Sequence, residues 1–239
     1  MALRSVRVDG KEFDISYEIL NPEKKKDIVF LHGWGSSKDV MKVFKDSFRE
    51  FRHIYIDMPG FGKSSNKYVL KTADYAKITD KFLKELGVKK DIIIAHSFGG
   101  KVATLLEPEL LVLLASAGIV MPKPLKVKAK IKLFKMLKKL GLSKMREKFV
   151  SDDVKGMSEN MYETFKNVVD EDFGGYFSSY RKKVLIFGGE NDTAVPREAV
   201  EKQGRLFKSD IIMLSGDHYF FLDKQNRKKV EKEVLKAIE

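Results

Sequence analysis

Residues 92–100 read Ile-Ile-Ile-Ala-His-Ser-Phe-Gly-Gly. Three β-branched residues in a row favour an extended strand, and the strand runs straight into a small–X–Ser–X–Gly turn. A helix-like stretch follows. A strand that turns sharply into a helix brings three backbone segments close together, so the positions two before and two after the serine must be small. They are Ala95 and Gly99, and Gly100 leaves room for the helix to pack on the sheet. Few folds accommodate such a turn, and Ser97 at its apex is the first candidate functional residue.

The rest of the chain alternates between apolar runs and amphipathic stretches. Residues 4–8 and 13–19 alternate apolar and polar on either side of Asp9-Gly10, which reads as a β-hairpin. Ile28 to Leu31 is a continuous apolar run, as expected of a buried strand. It ends in His32-Gly33-Trp34-Gly35. The spacing of Val40, Val43, Phe44 and Phe48 predicts a helix over 39–50. A strand over 53–56 leads into Asp57-Met58-Pro59-Gly60-Phe61-Gly62-Lys63-Ser64, and a helix is expected over 72–86, stopped by Gly87. Further strands are read at 92–96, 110–114, 184–187 and 211–214, with helices near 196–207 and 225–238. Alternating strand–loop–helix units predict an α/β fold: about six parallel strands plus the antiparallel hairpin, with helices on both faces. Ligands bind such sheets at the carboxyl ends of strands. The loops at Gly33, Asp57, Ser97, Asp192 and His218 all lie there.

A serine hydroxyl needs an adjacent base, itself oriented by an acid. His218 follows the last strand and is the candidate base. His32, His53 and His96, the other histidines, have places in a glycine-rich loop, a strand and the serine turn. Asp192 in Gly188-Gly189-Glu190-Asn191-Asp192 is the candidate acid, with Glu190 and Asp217 as nearby competitors. The chain order Ser97, Asp192, His218 is that of one known triad arrangement. Donors for a developing oxyanion are expected from the backbone N–H groups of Phe98, after the serine, and Trp34, whose flanking glycines let the loop turn toward the site.

With these motifs in place, the sequence resembles the α/β-hydrolase superfamily, in its serine carboxylesterase and C–C-bond hydrolase branch. Pimeloyl–carrier-protein methyl esterases and meta-cleavage product hydrolases are its points of similarity. The resemblance rests on residues 32–35, 57–64, 95–100, 189–192 and 216–218. It implies an eight-stranded sheet, a Ser–His–Asp triad, no cofactor and no metal. It also implies a helical cap inserted over the site, so that 1–120 and 181–239 form the core and 121–180 the cap. Three features depart from the pattern. Ala95 replaces a glycine. The stretch from Ser97 to the next strand is short, which predicts a truncated helix and a partly uncovered sheet beside it. The cap is unusually basic.

That basicity accounts for most of the net charge of +12 on 239 residues. Between residues 122 and 148 there are ten Lys and one Arg against one Glu. The stretch reads as an amphipathic helix with Val127, Ile131, Phe134, Leu137 and Leu140 on one face. Its charge is either a solvated face or a patch that steers anionic partners: an acidic carrier protein or a charged small substrate, with peripheral membrane contact the less favoured partner. Nothing in the chain resembles a nucleic-acid motif. No cysteine is present, no apolar run approaches the ~20 residues of a membrane-spanning helix, and the N-terminus lacks a signal-peptide pattern, so a cytoplasmic location is expected. The expected function is hydrolysis of a carboxylic ester or thioester through an acyl-enzyme. The alternatives are C–C bond hydrolysis of a vinylogous diketone and a non-catalytic, hydrolase-like binding protein.

Overall fold

Five-residue apolar strands dominate the centre of the molecule. In the computed structural model, which describes residues 2–122 and 157–239, β3 (Asp27–Leu31), β5 (Ile92–His96) and β6 (Leu110–Leu114) are buried along their whole length. Their side chains alternate between two cores, as a pleated strand requires. Val29, Leu31, Ile93, Ala95, Leu111 and Leu113 face one, and Ile28, Phe30, Ile92, Ile94, Val112 and Leu114 face the other. A strand apolar on both faces is stable only between two covering layers, and parallel pairing supplies them through crossover helices.

The sheet has eight strands. Besides those three, it contains β1 (Ala2–Val8), β2 (Lys11–Leu20), β4 (Arg52–Ile56), β7 (Lys183–Gly189) and β8 (Ile211–Leu214), in the order β1-β2-β4-β3-β5-β6-β7-β8. β1 pairs antiparallel with β2, and β2 antiparallel with β4. From β4 to β8 every pairing is parallel. The expected hairpin and the six parallel strands are both present. Asp9 and Gly10, at φ 48° and 76°, make the hairpin turn, whose mirror-image geometry suits Asp-Gly.

The helices are α1 (Lys38–Met41), α2 (Thr72–Glu85), α3 (Phe98–Leu106), α4 (Glu159–Val168), α5 (Gly174–Ser179), α6 (Arg197–Phe207) and α7 (Lys224–Ile238). The helix expected over 39–50 is not formed. α1 gives way to a single 3-10 turn over Lys42–Phe44, and Phe48 takes φ 51°. Tertiary contacts outweigh the helical spacing. The Phe48 N–H donates to Glu231 of α7 at 2.8 Å, and its carbonyl faces His53 Nε2 at 3.0 Å. Met41, Phe44, Phe48 and Phe51 are still buried in the core beneath α7, delivered by turns instead of a helix.

The helix after Ser97 is short, as expected. It spans nine residues and ends at Glu107 in a left-handed conformation (φ 49°), with Pro108 beyond it. The sheet beside it is not exposed, contrary to expectation. α5 packs against both α3 and α6, and Phe177 within it and Phe173 just before it are completely buried. The Tyr180 hydroxyl donates to the Pro108 carbonyl at 3.2 Å. The lysine-rich helix expected from the spacing of Val127 to Leu140 lies outside the described residues.

Candidate active site

Ser97 stands between β5 and α3 at φ 49°, ψ −116°, a conformation that costs a non-glycine residue about 1–3 kcal/mol. The surroundings hold it there. Its N–H donates to Leu114 O at 3.1 Å, and its carbonyl accepts from Gly100 N–H at 3.0 Å and Ala117 N–H at 3.1 Å. The glycines on the helix side are steric requirements. A Cβ at Gly99 would lie 2.6 Å from the His32 carbonyl oxygen, and one at Gly100 would lie 2.1 Å from Ser116 Oγ. Ala95 is fully buried in the same crowded turn.

The candidate oxyanion loop lies directly against this turn. A Cβ at Gly33 would meet the Ser97 Cβ at 3.1 Å. The Gly33 carbonyl is pinned by two donors, the His32 ring Nδ1–H at 2.7 Å and the Ser36 N–H at 3.3 Å. In a trans peptide the N–H points opposite to the C=O, so pinning that carbonyl fixes the direction of the Trp34 N–H. The Trp34 N–H has no acceptor among the described residues. Phe98 opens α3, where a backbone N–H has no intrahelical acceptor.

His32 is therefore more than a loop residue. Its Nε2 accepts the Met58 N–H at 3.1 Å, which places the ring proton on Nδ1. Burial lowers its pKa to about 4, so the ring stays neutral. A second brace lies below it. The Asp57 carboxylate accepts the backbone N–H groups of Lys38 (2.7 Å) and Lys63 (3.0 Å) and forms a buried ion pair with Lys38 Nζ. Burial pushes the Asp57 carboxyl up, but the Lys38 and Lys63 donors prevail and hold it below the usual carboxylate range. Gly62 is obligatory here, since a Cβ would strike the same carboxylate at 2.3 Å. Neither role was legible in the sequence. A Gly-Trp-Gly loop announces flexibility, not the side chains that restrain it.

At the other side of the site, His218 Nδ1 lies 2.7 Å from Asp192 Oδ2. Asp192 Oδ1 accepts the N–H groups of Ala194 (2.8 Å) and Val195 (2.9 Å). Burial raises the Asp192 pKa, but the bonds from His218 and these N–H groups outweigh it, and the carboxylate is held ionised below its ordinary range. The competing carboxylates are engaged elsewhere: Asp217 accepts the Tyr219 N–H at 2.8 Å, and Glu190 is exposed. The acid and base loops are stitched together by Asn191 N–H to Gly216 O (2.9 Å). Gly189 lets them touch, since a Cβ there would stand 2.2 Å from the Asp217 carbonyl oxygen.

No hydrogen bond joins Ser97 to His218 among the described residues, and His218 Nε2 is left without a partner there. Nucleophile–base bonds are commonly loose before substrate arrives. Trp34 forms an aromatic wall beside the turn with Phe61, Phe98 and, from α4, Phe165, at ring-centroid distances of 4.8, 5.5 and 5.4 Å. Among the described residues, no group of three or more His, Asp or Glu side chains is placed to hold a metal ion.

A family model described as the alpha/beta hydrolase fold matches residues 27–107, from β3 to the end of α3. The match includes the Trp34 loop and Ser97 and stops short of Asp192 and His218. An uncharacterised hydrolase of Bacillus subtilis, YugF, is 31% identical over 128 residues, which are 48% of this chain and 45% of that protein. A pimeloyl-[acyl-carrier protein] methyl ester esterase of Vibrio campbellii is 34% identical over 79 residues, covering 33% of this chain and 30% of that protein. The chain thus spans less than half the length of these curated relatives. Among solved structures, a thermophilic esterase from Thermogutta terrifontis superposes over 100% of this chain and 98% of its own, with a TM-score of 0.71 and 15% identity. The sheet order, the serine turn and a superposition that spans the whole length agree: this chain has the α/β-hydrolase fold.

Proposed function

We infer that the protein is a serine hydrolase that cleaves a carboxylic ester or thioester through an acyl-enzyme. The observation that carries this reading is the conjunction of a strained Ser97 at a strand end with an oriented His218–Asp192 pair on the neighbouring loops. Esterase relatives, matched over a third of the chain or at the level of fold, agree with it.

In this reading Ser97 Oγ attacks the substrate carbonyl while its proton passes to His218 Nε2. The carbonyl π-electrons move onto oxygen, which the N–H groups of Phe98 and Trp34 receive. Asp192 holds the Nδ1–H tautomer and stabilises the imidazolium. Collapse of the adduct breaks the ester bond, and His218 returns the proton to the departing alcohol or thiol. A water, deprotonated by His218, then attacks the acyl-Ser97 ester; the acyl–Oγ bond breaks, His218 returns the proton to Ser97 Oγ, and the acid is released. The wall of Trp34, Phe61, Phe98 and Phe165 suits an apolar acyl group. The +10 stretch between residues 122 and 148 favours an anionic substrate, free or attached to an acidic carrier protein.

The test is covalent labelling with a fluorophosphonate, combined with a panel of p-nitrophenyl esters. One adduct on Ser97 is expected, with none in Ser97→Ala, whose turnover should fall about ten-thousandfold or more. Unlabelled folded protein, or equal activity in wild type and Ser97→Ala, defeats the reading. Faster turnover of a dienoate diketone than of any ester would move the reaction to C–C hydrolysis. Raising ionic strength should depress kcat/KM for an ester bearing a carboxylate and leave a neutral ester unchanged.

A further inference from the structure

His96 immediately precedes the nucleophile, and the reaction as described does not use it. It is 1% exposed. Its ring lies 4.6 Å from that of His218, 4.9 Å from Tyr219 and 5.0 Å from Phe221, measured between centroids. A ring chosen for packing alone needs no polar atom, yet His96 Nε2 sits 3.0 Å from the main-chain oxygen of His218. A carbonyl can only accept, so the proton is on Nε2. Nδ1 is then a bare lone pair, buried and without a donor among the described residues. It lies 2.9 Å from where a Cβ on Gly33 would stand. Leaving a buried acceptor unmet is costly, and a phenylalanine would avoid that cost. The hydrogen bond to His218 is what a histidine provides here.

The neighbouring carbonyls of the base loop are held from elsewhere. Ser215 O accepts from Asn226 Nδ2 at 2.7 Å, and Gly216 O from Asn191 N–H at 2.9 Å. The His218 carbonyl is bound by His96. Asp192 sets the rotation of the His218 ring through Nδ1, but a ring can be correctly rotated and still stand too far from Ser97.

We propose that His96 is a positioning residue that sets the distance between base and nucleophile, through its Nε2–H bond to the His218 carbonyl. The proposal rests on the hydrolase reading above. Because His96 and Ser97 are adjacent in one rigid strand end, this bond references the base loop to the turn that carries the nucleophile. Gly33 completes the arrangement, since any larger residue would push the His96 ring out of place.

Two variants separate this role from packing. His96→Phe keeps the bulk and loses the donor, whereas His96→Gln places an amide N–H near the Nε2 position. His96→Phe should lower kcat about tenfold to a hundredfold with little change in KM, and should slow fluorophosphonate labelling in parallel. His96→Gln should recover most of both. Full activity in folded His96→Phe, or equal loss in the two folded variants, overturns the proposal. An arm that needs no variant is long-range ¹H–¹⁵N NMR of the wild-type ring. The Nε2–H tautomer is expected, and a proton on Nδ1 overturns the proposal. A wild type that neither labels nor turns over esters overturns the hydrolase reading and this role with it. A labelled wild type indifferent to His96 substitution overturns this role alone.

Discussion

The ring protons of His32 and His96 are fixed by their bonding partners, and both rings are fully enclosed. Burial, helped at His96 by the facing His218, lowers the two pKa values to about 4 and about 3. In the unfolded chain both rings titrate near 6.5. Between those limits the unfolded state binds more protons, so stability is lost as pH falls through 6.5 and the loss continues down to the folded pKa. Replacing His96 with glutamine removes one such proton. Urea unfolding at pH 7 and pH 5 should therefore shift in favour of His96→Gln, relative to wild type, by about 2 kcal/mol at the lower pH. An unchanged gap would mean that His96 is not held neutral. These roles were hidden in the sequence for a simple reason. Which of four histidines is the candidate base follows from chain order, but which ring nitrogen carries a proton depends on contacts between residues as distant as His96 and His218.

At the level of elements, the serine turn depends on how closely α3 approaches β3. Gly99→Ala would place a methyl 2.6 Å from the His32 carbonyl oxygen and 2.9 Å from that of Leu31. Both are backbone atoms that cannot swing aside. A destabilisation of about 1–3 kcal/mol is expected, with loss of activity because Ser97 moves with the helix. Gly175→Ala in α5 meets nothing within 4 Å and should be neutral or stabilising by up to about 1 kcal/mol. Denaturant melts of the pair check the contrast, and equal melts would contradict it. The strands were legible because a run such as Leu110–Leu114 is apolar at every position and has no other stable environment. The segment over 39–50 was not. Its apolar spacing suits a helix, but Glu231, remote in sequence, captures the Phe48 N–H, and the nearby His53 ring holds its carbonyl, which ends it. The cover supplied by α5 was equally illegible. Phe173 and Phe177 carry no signal that assigns them to the gap left by a short α3.

Along the whole chain, the concentrated charge and the candidate site residues occupy different stretches of sequence. A positive stretch follows β6 in sequence, while the candidate site is assembled by neutral or paired groups at the carboxyl ends of β3, β5, β7 and β8. The number and direction of the strands were legible at this scale, because alternating strand–loop–helix units call for a parallel sheet. One of the strained backbone positions among the described residues is also the proposed nucleophile. At φ 49° and ψ −116°, Ser97 holds a backbone shape that glycine adopts without strain. Ser97→Gly should therefore be more stable than Ser97→Ala, which keeps the Cβ, by on the order of 1 kcal/mol after the entropy of the freer unfolded chain is counted. Thermal melts of the two variants would reveal it, and coincident melts would refute it. A population of such chains screened for heat resistance alone would drift toward glycine at this position, and durability would be gained by discarding the proposed nucleophile.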